Sequence, residues 1–145
     1  MRRRLNLSLK REEALRATRV SIGKTRLVYV LVADKRLKYL NGRSRIAYIG
    51  TTEKGVARIA QSIAFRADDI LALHGVRSFH ARIITCKRRQ KVSTWKKLER
   101  ALLLVFREHL GQPPFCNSHG KRMKETDEFR YFSKSGVKLV LDELH

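Results

Sequence analysis

Two apolar runs on either side of an Asn-Gly pair place the strongest constraint on how this chain folds. The first run, residues 27–33, reads LVYVLVA and is continuous enough to be a central strand buried on both faces. Asn41-Gly42 favours a tight turn because both positions accept positive φ. The second run, residues 46–50, then forms a strand antiparallel to the first. The sequence therefore predicts a hairpin at the centre of a small α/β domain of the α+β type, with a mainly antiparallel sheet flanked by helices.

A helix is predicted after the second strand, because the apolar spacing changes there from two residues to 3.6. Thr51 or Thr52 is the expected N-cap. The apolar stripe consists of Val56, Ile59, Ala60 and Ile63. At about 100° per residue, Arg58 projects from the opposite side of the helix, together with Ser62 and Phe65. We therefore expect the arginine to lie outside the core.

The clearest helix runs from Ser93 or Thr94 to Leu110 and is stopped by the glycine and the two prolines that follow. One residue breaks its pattern, because Glu99 falls on the apolar face of the helical wheel, beside Phe106. A carboxylate among apolar neighbours is destabilising unless it is paired, protonated or bound to a cation. Glu99 is therefore half of an ion pair, a residue at an open helix edge, or a functional group.

The remaining elements are predicted from local patterns alone. They are a helix from Ser8 to Arg19, a short helix over residues 67–74, a strand within residues 76–86, a strand over residues 128–132, and a final strand or short helix over residues 136–144. A turn-rich loop, residues 113–122, holds Asn117 and His119. We expect a basic arm over residues 1–24, either bound to phosphate, packed on the domain or solvated, and one domain over residues 25–145.

The charge of the chain indicates its partner. Of 145 residues, 33 are Lys or Arg and 13 are Asp or Glu, which gives a formal net charge of +20. A polyanion is expected, and nucleic acid fits best because lysine and arginine release counterions from phosphates. An acidic membrane surface is the alternative, but we find no basic amphipathic helix with bulky apolar anchors.

The compartment is predicted from the N-terminus and the cysteines. No apolar run approaches the length of a membrane span, and the leader MRRRLNLSLKREE lacks the apolar core of a signal peptide. Cys86 and Cys116 match no CxxC spacing and are interpreted as small buried apolar side chains. We expect a cytoplasmic protein that makes no membrane contact.

Five unusual features follow one another along the chain. They are Tyr29 in the first strand, the triplet Tyr48-Ile49-Gly50 at the end of the second, Arg58 in the next helix, Glu99 in the long helix and Asn117 after the prolines. This series resembles the GIY-YIG nuclease family over residues 26–132, and the ten-residue step from Tyr48 to Arg58 fits that family. The resemblance implies a GIY-YIG-like fold, endonuclease activity on DNA, and site roles for the five positions.

The chain departs from the family pattern at three points. Leu27 and Val28 replace the Gly and Ile of the first triplet but leave the tyrosine hydroxyl. The connection between the two tyrosines is longer than usual, which predicts a longer hairpin. Ser62 stands one helical turn after the arginine, where many members have histidine or tyrosine, so the contact that this group makes is missing here.

Phosphodiester hydrolysis explains why these residue types are needed. It requires a base, a cation near the non-bridging oxygens, and stabilisation of the leaving oxygen. Glu99 can hold one Mg²⁺ or Mn²⁺ and leave most of its coordination to water and phosphate. Arg58 supplies a permanently charged fork for the scissile phosphate. Tyr29 and Tyr48 can position the attacking water; one tyrosine is proposed as general base in the family, and we favour Tyr29. Asn117 would orient the site from its loop.

Two other functions fit the same residues. One is a nucleic-acid-binding protein on this scaffold that has lost turnover, for which Ser62 is the sequence hint. The other is a ribonuclease, which composition does not separate from an enzyme that cuts DNA. We expect no separate module for reading bases, so specificity would come from the shape of the nucleic acid, a homodimer or a partner protein.

Other candidates have weaker support. The charged stretch DKRLKYLNGRSR, residues 34–45, and the arginines of the leader are either phosphate tracks or solvated surface. His74, His80, His109 and His119 receive no catalytic assignment. Zinc held by Cys116 and His119 with remote partners is a still weaker alternative.

Overall fold

The fold is centred on a three-stranded antiparallel sheet. A computed structural model describes residues 4–21 and 23–145. The strands are Leu27–Tyr39 (β1), Gly42–Thr52 (β2) and Phe79–Ile84 (β3), in the order β2-β1-β3. The helices are Val56–Leu71 (α1), Thr94–Leu110 (α2), Glu128–Tyr131 (α3) and Lys134–Leu144 (α4). The predicted α+β fold, a small antiparallel sheet with flanking helices, is confirmed.

β1 and β2 form the long hairpin that the sequence predicts, but both strands extend beyond the predicted runs 27–33 and 46–50. Their pairing runs from Tyr39 opposite Gly42 at the turn to Leu27 opposite Thr52 at the far end. The charged stretch 34–45 is therefore part of the hairpin and not a loose connection, because Leu37 and Tyr39 remain buried while the residues between and before them are exposed. The tip is held to the end of α2, where the backbone N–H of Asn41 donates to the carbonyl of Leu110 at 3.0 Å.

α1 begins and ends later than predicted. Thr51 and Thr52 are still paired in β2, so neither residue caps the helix. Gly55 precedes the first turn with φ 70°, and a Cβ at this position would lie 2.8 Å from the Lys24 carbonyl oxygen. The separate helix predicted over residues 67–74 is wrong, because no helix-breaking residue interrupts α1 before Leu71.

α2 confirms the clearest helix prediction and supplies much of the core. It ends at Gly111, whose left-handed φ of 81° suits glycine. The helix packs against β1, β2 and α4. Its buried residues are Thr94, Trp95, Leu98, Ala101, Leu102, Leu103, Leu104, Val105, Phe106 and Leu110.

The C-terminal segment is helical, so the strand predicted over residues 128–132 is wrong. Residues 128–131 form α3 and only Phe132 is extended. Ser133 caps α4 by accepting a hydrogen bond from the backbone N–H of Gly136 at 3.0 Å. Val137, Leu141 and Leu144 are buried at helical spacing, which favours packing on α2 over a fourth strand.

A buried ion pair joins α3 to α2. Glu128 is 0% exposed, and its carboxylate accepts a hydrogen bond from Nε of Arg100 at 2.6 Å. The backbone N–H and the hydroxyl of Thr126 each donate to it at 2.8 Å. Burial raises the pKa of Glu128, but the hydrogen bonds from Arg100 and Thr126 outweigh burial and lower the pKa to about 2.

The N-terminal segment differs from its prediction. Residues 4–18 contain neither helix nor strand, and the only regular structure before β1 is a 3₁₀ turn, Arg19–Ser21, within the described residues. The helix predicted from Ser8 to Arg19 is wrong, since Leu9 and Leu15 are exposed and a short helix needs an apolar face to pack. Arg2 and Arg3 of the leader lie outside the described residues, and the division at residue 24 stays a prediction.

Among the residues that the structure describes, no helix has both the length and the apolar character that a bilayer crossing requires.

Candidate active site

The two tyrosines of the predicted site are in contact. Tyr29 on β1 lies opposite Gly50 on β2, and Tyr48 shares a strand face with Gly50 because side chains alternate along a strand. The ring centroids of the tyrosines are 5.8 Å apart. A Cβ at Gly50 would lie 2.6 Å from Cε1 of Tyr48 and 3.0 Å from Cζ of Tyr29. Glycine is therefore required for both rings to cover this point of the sheet.

The hydroxyl of Tyr29 is held by Ser62 on α1. It donates to Oγ of Ser62 at 2.8 Å, and Tyr29 is 3% exposed. Burial raises the pKa of Tyr29 to about 12, and the Tyr48 hydroxyl nearby adds to this shift, while Ser62 and the Arg66 charge lower the pKa. The sequence placed Ser62 on the outer side of α1 with Arg58, which is wrong. Ser62 is half-buried because α1 turns Ile59, Ser62 and Ile63 toward the sheet.

Arg58 lies one turn before Ser62 on α1 and is exposed, as predicted. Its Nη1 donates to Oε1 of Gln61 at 3.4 Å. Within residues 4–21 and 23–145, its guanidinium forms no ion pair. A solvent-facing guanidinium without a carboxylate partner is available to an anion from outside.

Arg66, which the sequence did not single out, covers the outer face of the tyrosine pair. Its guanidinium lies 3.7 Å from the centroid of the Tyr48 ring, and Nη1 donates to the carbonyl of Cys116 at 3.2 Å. Nε of Arg66 is buried without a hydrogen-bond partner among the described residues. The only sequence signal for it is spacing, since residues 58, 62 and 66 follow one row along a helix.

Asn117 fastens the loop after α2 to the outer edge of β2. Its Oδ1 accepts from the backbone N–H of Ile49 at 3.0 Å, and its Nδ2 donates to the carbonyl of Ile49 at 2.9 Å. The backbone N–H of Cys116 donates to the carbonyl of Ala47 at 2.9 Å. Because β2 is an edge strand, these bonds satisfy backbone groups that no strand pairs. Asn117 thus fixes the strand between Tyr48 and Gly50.

Glu99 reaches the same end of β2 from α2. It is half-buried, and the side chain of Thr51, the residue after Gly50, lies close enough to the carboxylate to lower its pKa. Burial raises the pKa of Glu99 above its ordinary range, while Thr51 and the charges of Arg100 and Lys96 lower it without cancelling the effect. The carboxylate predicted on the apolar face of α2 is therefore incompletely compensated by its neighbours.

Four of the five predicted residues, namely Tyr29, Tyr48, Glu99 and Asn117, thus lie around residues 48–51 in two groups, while the Arg58 side chain, among the described residues, hydrogen-bonds only to Gln61 on its own helix. The tyrosines contact α1, whereas Glu99 meets the strand at Thr51 from α2, and Thr51 alternates with Gly50 across the sheet. Asn117 binds the strand between the groups. In the described part of the chain, no hydrogen bond or ion pair joins Glu99 or Arg58 to either tyrosine. A substrate crossing the end of β2 would have to connect them.

The donor set at Glu99 fits a magnesium ion shared with a substrate. One carboxylate and the Thr51 hydroxyl are hard oxygen donors, and Mg²⁺ uses one or two carboxylates and completes its shell with water and phosphate. Over the described residues, no three His, Cys, Asp or Glu side chains form a group that could hold a metal. The zinc alternative gains no support, since His119 is exposed and burial raises the pKa of the Cys116 thiol.

Comparison of the chain with protein-family models, with curated proteins and with solved structures finds no match.

Proposed function

We propose that this protein is a metal-dependent endonuclease that hydrolyses phosphodiester bonds in DNA, with a GIY-YIG-like site. The convergence of distant residues on one strand end supports this proposal. Asn117 and Glu99 lie far along the chain from Tyr48, yet they bind the residues on either side of Gly50. Chance placement of a tyrosine pair, an under-compensated carboxylate and the amide of Asn117 around one strand end is a weaker explanation.

Each side chain has a role that its surroundings permit. Arg58 binds the non-bridging oxygens of the phosphate, since its guanidinium faces solvent. Tyr29 keeps its proton at neutral pH, because its pKa is about 12. Tyr29 therefore has a positioning role, in which its hydroxyl donates to Ser62. The tyrosine that contacts the attacking water is Tyr48, which is half-buried. This differs from the expectation that Tyr29 is the general base.

Glu99 would hold Mg²⁺ or Mn²⁺ with the Thr51 hydroxyl. When bound, the ion would supply Lewis-acid activation and neutralise charge on the phosphate. The carboxylate itself is prepared for this role by burial, since an ionised Glu99 lacks a full partner and is stabilised by an incoming cation. Asn117 acts through the backbone of Ile49, where it holds the spacing between the two groups.

A nucleic-acid-binding protein without turnover is the second candidate, and one contact favours it. The Tyr29 hydroxyl donates to Ser62, a neutral serine at the position where many members of the GIY-YIG family that the sequence resembles have a histidine or tyrosine. Neither candidate separates DNA from RNA, and a homodimer or a partner protein remains our proposal for targeting. A cytoplasmic location likewise stays a prediction.

The test is cleavage of supercoiled plasmid, a branched DNA junction and single-stranded RNA in Mg²⁺ or Mn²⁺. Glu99→Gln should lower the cleavage rate by at least about 100-fold, because the ion loses its carboxylate. Glu108→Gln is the matched control, since Glu108 is an exposed carboxylate on the same helix. Wild-type protein that cuts no substrate but binds DNA would establish the second candidate. Equal cleavage by wild type and Glu99→Gln would refute the assigned site.

A further inference from the structure

An open cleft of about 520 Å³ lies at the start of α2, outside the residues assigned above. Its walls come from the segment before β1 and from the turn before α2. Four of the lining residues are cationic, namely Arg26, Arg88, Arg89 and Lys91, and all four are exposed. No acidic residue lines the cleft, and none of the four forms an ion pair within the described residues. The cleft is a concentration of uncompensated positive charge.

The backbone at the base of the cleft also favours an anion. Ser93 and Thr94 line it where α2 begins, and the Ser93 side chain makes no capping hydrogen bond. In the first turn, the Thr94 N–H donates to the Val92 carbonyl at 3.0 Å and the Lys96 N–H donates to the Ser93 carbonyl at 3.1 Å. The contribution of this 17-residue helix to anion binding is therefore the positive end of its dipole and not a set of free N–H groups.

Trp95 provides a separate indication of a missing acceptor. It lines the cleft and is 8% exposed, and its indole Nε1 is buried with no hydrogen-bond partner in the described part of the chain. The Arg26 guanidinium lies 4.7 Å from the centroid of the indole ring. A buried indole N–H normally finds an acceptor. The indole Nε1 is itself closed off from the cleft, so an oxyanion bound here would contact the Arg26 guanidinium beside the ring and change the surroundings of the indole.

The cleft adjoins the candidate active site. Trp95 and Glu99 are four residues apart on α2, so they share a helix face and are about 6 Å apart along its axis. Arg26 precedes β1, whose first residue, Leu27, pairs with Thr52 at the end of β2. A strand of nucleic acid that crosses the end of β2 therefore reaches the cleft with a neighbouring phosphate.

We propose that this cleft binds a backbone phosphate of the nucleic acid next to the phosphate at Glu99. That the second phosphate sits at Glu99 rests on the proposed function. That the cleft binds a phosphate does not depend on it. The hairpin stretch 34–45 is not this track, because its tip lies at the other end of α2, beside Leu110.

The single tryptophan of the chain makes the test direct. A short DNA duplex is titrated into the full chain in EDTA while Trp95 emission is followed, so that cleavage does not contribute. Arg88→Gln with Arg89→Gln should weaken binding about tenfold and reduce the slope of log K against log salt by about two units, at about 0.9 per phosphate contact. Arg122→Gln with Lys124→Gln, which removes two exposed charges elsewhere, should weaken binding less than about threefold.

Two further arms complete the design. Inorganic phosphate should change Trp95 emission in the same direction but far more weakly than the duplex. The thermal unfolding of each variant is followed by circular dichroism and compared with that of wild type. The Arg89 guanidinium also lies 5.5 Å from the centroid of the Tyr131 ring. If the double variant therefore unfolds at a lower temperature than wild type, the single variant Arg88→Gln is used in its place. In cleavage assays, the cleft variant should raise KM and leave kcat unchanged.

Three results would overturn the proposal. They are equal loss of affinity in the two charge-matched pairs, no change of Trp95 emission when the duplex saturates the protein, or inorganic phosphate binding as tightly as the duplex. Because all binding is measured in EDTA, these results do not depend on whether the protein cleaves DNA.

Discussion

Glu99 and Glu128 are both carboxylates withdrawn from water beside α2, and their pKa values move in opposite directions. Glu128 accepts hydrogen bonds from Arg100 and Thr126, which lower its pKa to about 2. Burial raises the pKa of Glu99, and its neighbours Thr51, Arg100 and Lys96 lower it by less. The difference shows that withdrawal from water alone does not mark a functional carboxylate. Glu99 differs from Glu128 in that its neighbours offset the effect of burial only in part, which is why we propose a functional role for it.

The arrangement of Arg100 explains how two carboxylates so close in the fold come to differ. Arg100 follows Glu99 directly in α2, but successive helical residues project about 100° apart. Its Nε bonds Glu128 at 2.6 Å and its Nη2 bonds the carbonyl of Lys124 at 2.7 Å. The Arg100 guanidinium therefore hydrogen-bonds to Glu128 and Lys124, whereas its charge only lowers the pKa of Glu99 without cancelling the effect of burial.

The largest expected effect is on folding, at Glu128. Glu128→Ala should lower the free energy of unfolding by about 3 kcal/mol, the lower end for breaking a buried pair, since the Arg100 side chain keeps 35% exposure. Glu99→Ala should lower it by less than about 1 kcal/mol, because an uncompensated charge is removed. Urea denaturation of both variants measures this. Equal destabilisation would erase the distinction between the two carboxylates.

The pH dependence of stability should also have opposite signs at the two residues. Between its ordinary value of 4.5 and about 2, Glu128 is protonated in the unfolded chain but ionised in the folded one, so its contribution is lost as pH falls. Glu99 binds its proton more tightly when folded, so its contribution is lost as pH rises above 4.5.

Urea unfolding at about pH 3 and about pH 6 tests these signs. Relative to wild type, Glu128→Gln should lose less stability on acidification. Glu99→Gln should instead lose less stability as the pH rises. If the stability of Glu99→Gln changes with pH in the same way as that of wild type, the neighbours of Glu99 fully offset the effect of its burial.

A smaller effect is expected at Asn117, where the contacts are neutral. Asn117→Ala removes two hydrogen bonds to Ile49 and should lower the free energy of unfolding by about 1–2 kcal/mol. Asn117→Asp keeps the acceptor for the Ile49 N–H and loses the donor. Hydrogen exchange at the Ile49 amide should therefore accelerate in the alanine variant more than in the aspartate variant. Identical exchange in both would show that the loop does not hold β2.

Local sequence pattern predicts the long helix α2 and the unusual carboxylate on it, but not the exact ends of the strands. Helical period predicts α2, and Glu99 stands out because it violates that period. The hairpin turn lies one residue earlier than predicted, at Leu40 and Asn41, because Gly42 pairs with Tyr39, and neither Asn41 nor Gly42 adopts the positive φ expected of them. Thr51 was assigned to a cap because its residue type suits one, but pairing with β1 extends β2 through it. Such tertiary pairing overrides local preference.

The features that the sequence missed depend on contacts between distant segments. Glu128 lies in a polar segment that predicts exposure, and only Arg100, 28 residues earlier, explains its burial. Arg66 reaches the carbonyl of Cys116, 50 residues later. Ser62 was placed on the wrong side of α1 because the apolar stripe of that helix was assigned to Val56 and Ala60, which are exposed. No local period contains this information.

Carboxyl-carbon NMR of ¹³C-glutamate-labelled protein tests the central claim most directly, because it observes both residues in one sample. The account predicts a titration midpoint for Glu128 near 2 and one for Glu99 above 4.5. Trace Mn²⁺ should broaden the Glu99 resonance and leave Glu128 sharp, since only Glu99 is open to a cation. A Glu99 midpoint at or below 4.5, together with equal broadening of the two resonances, would contradict it.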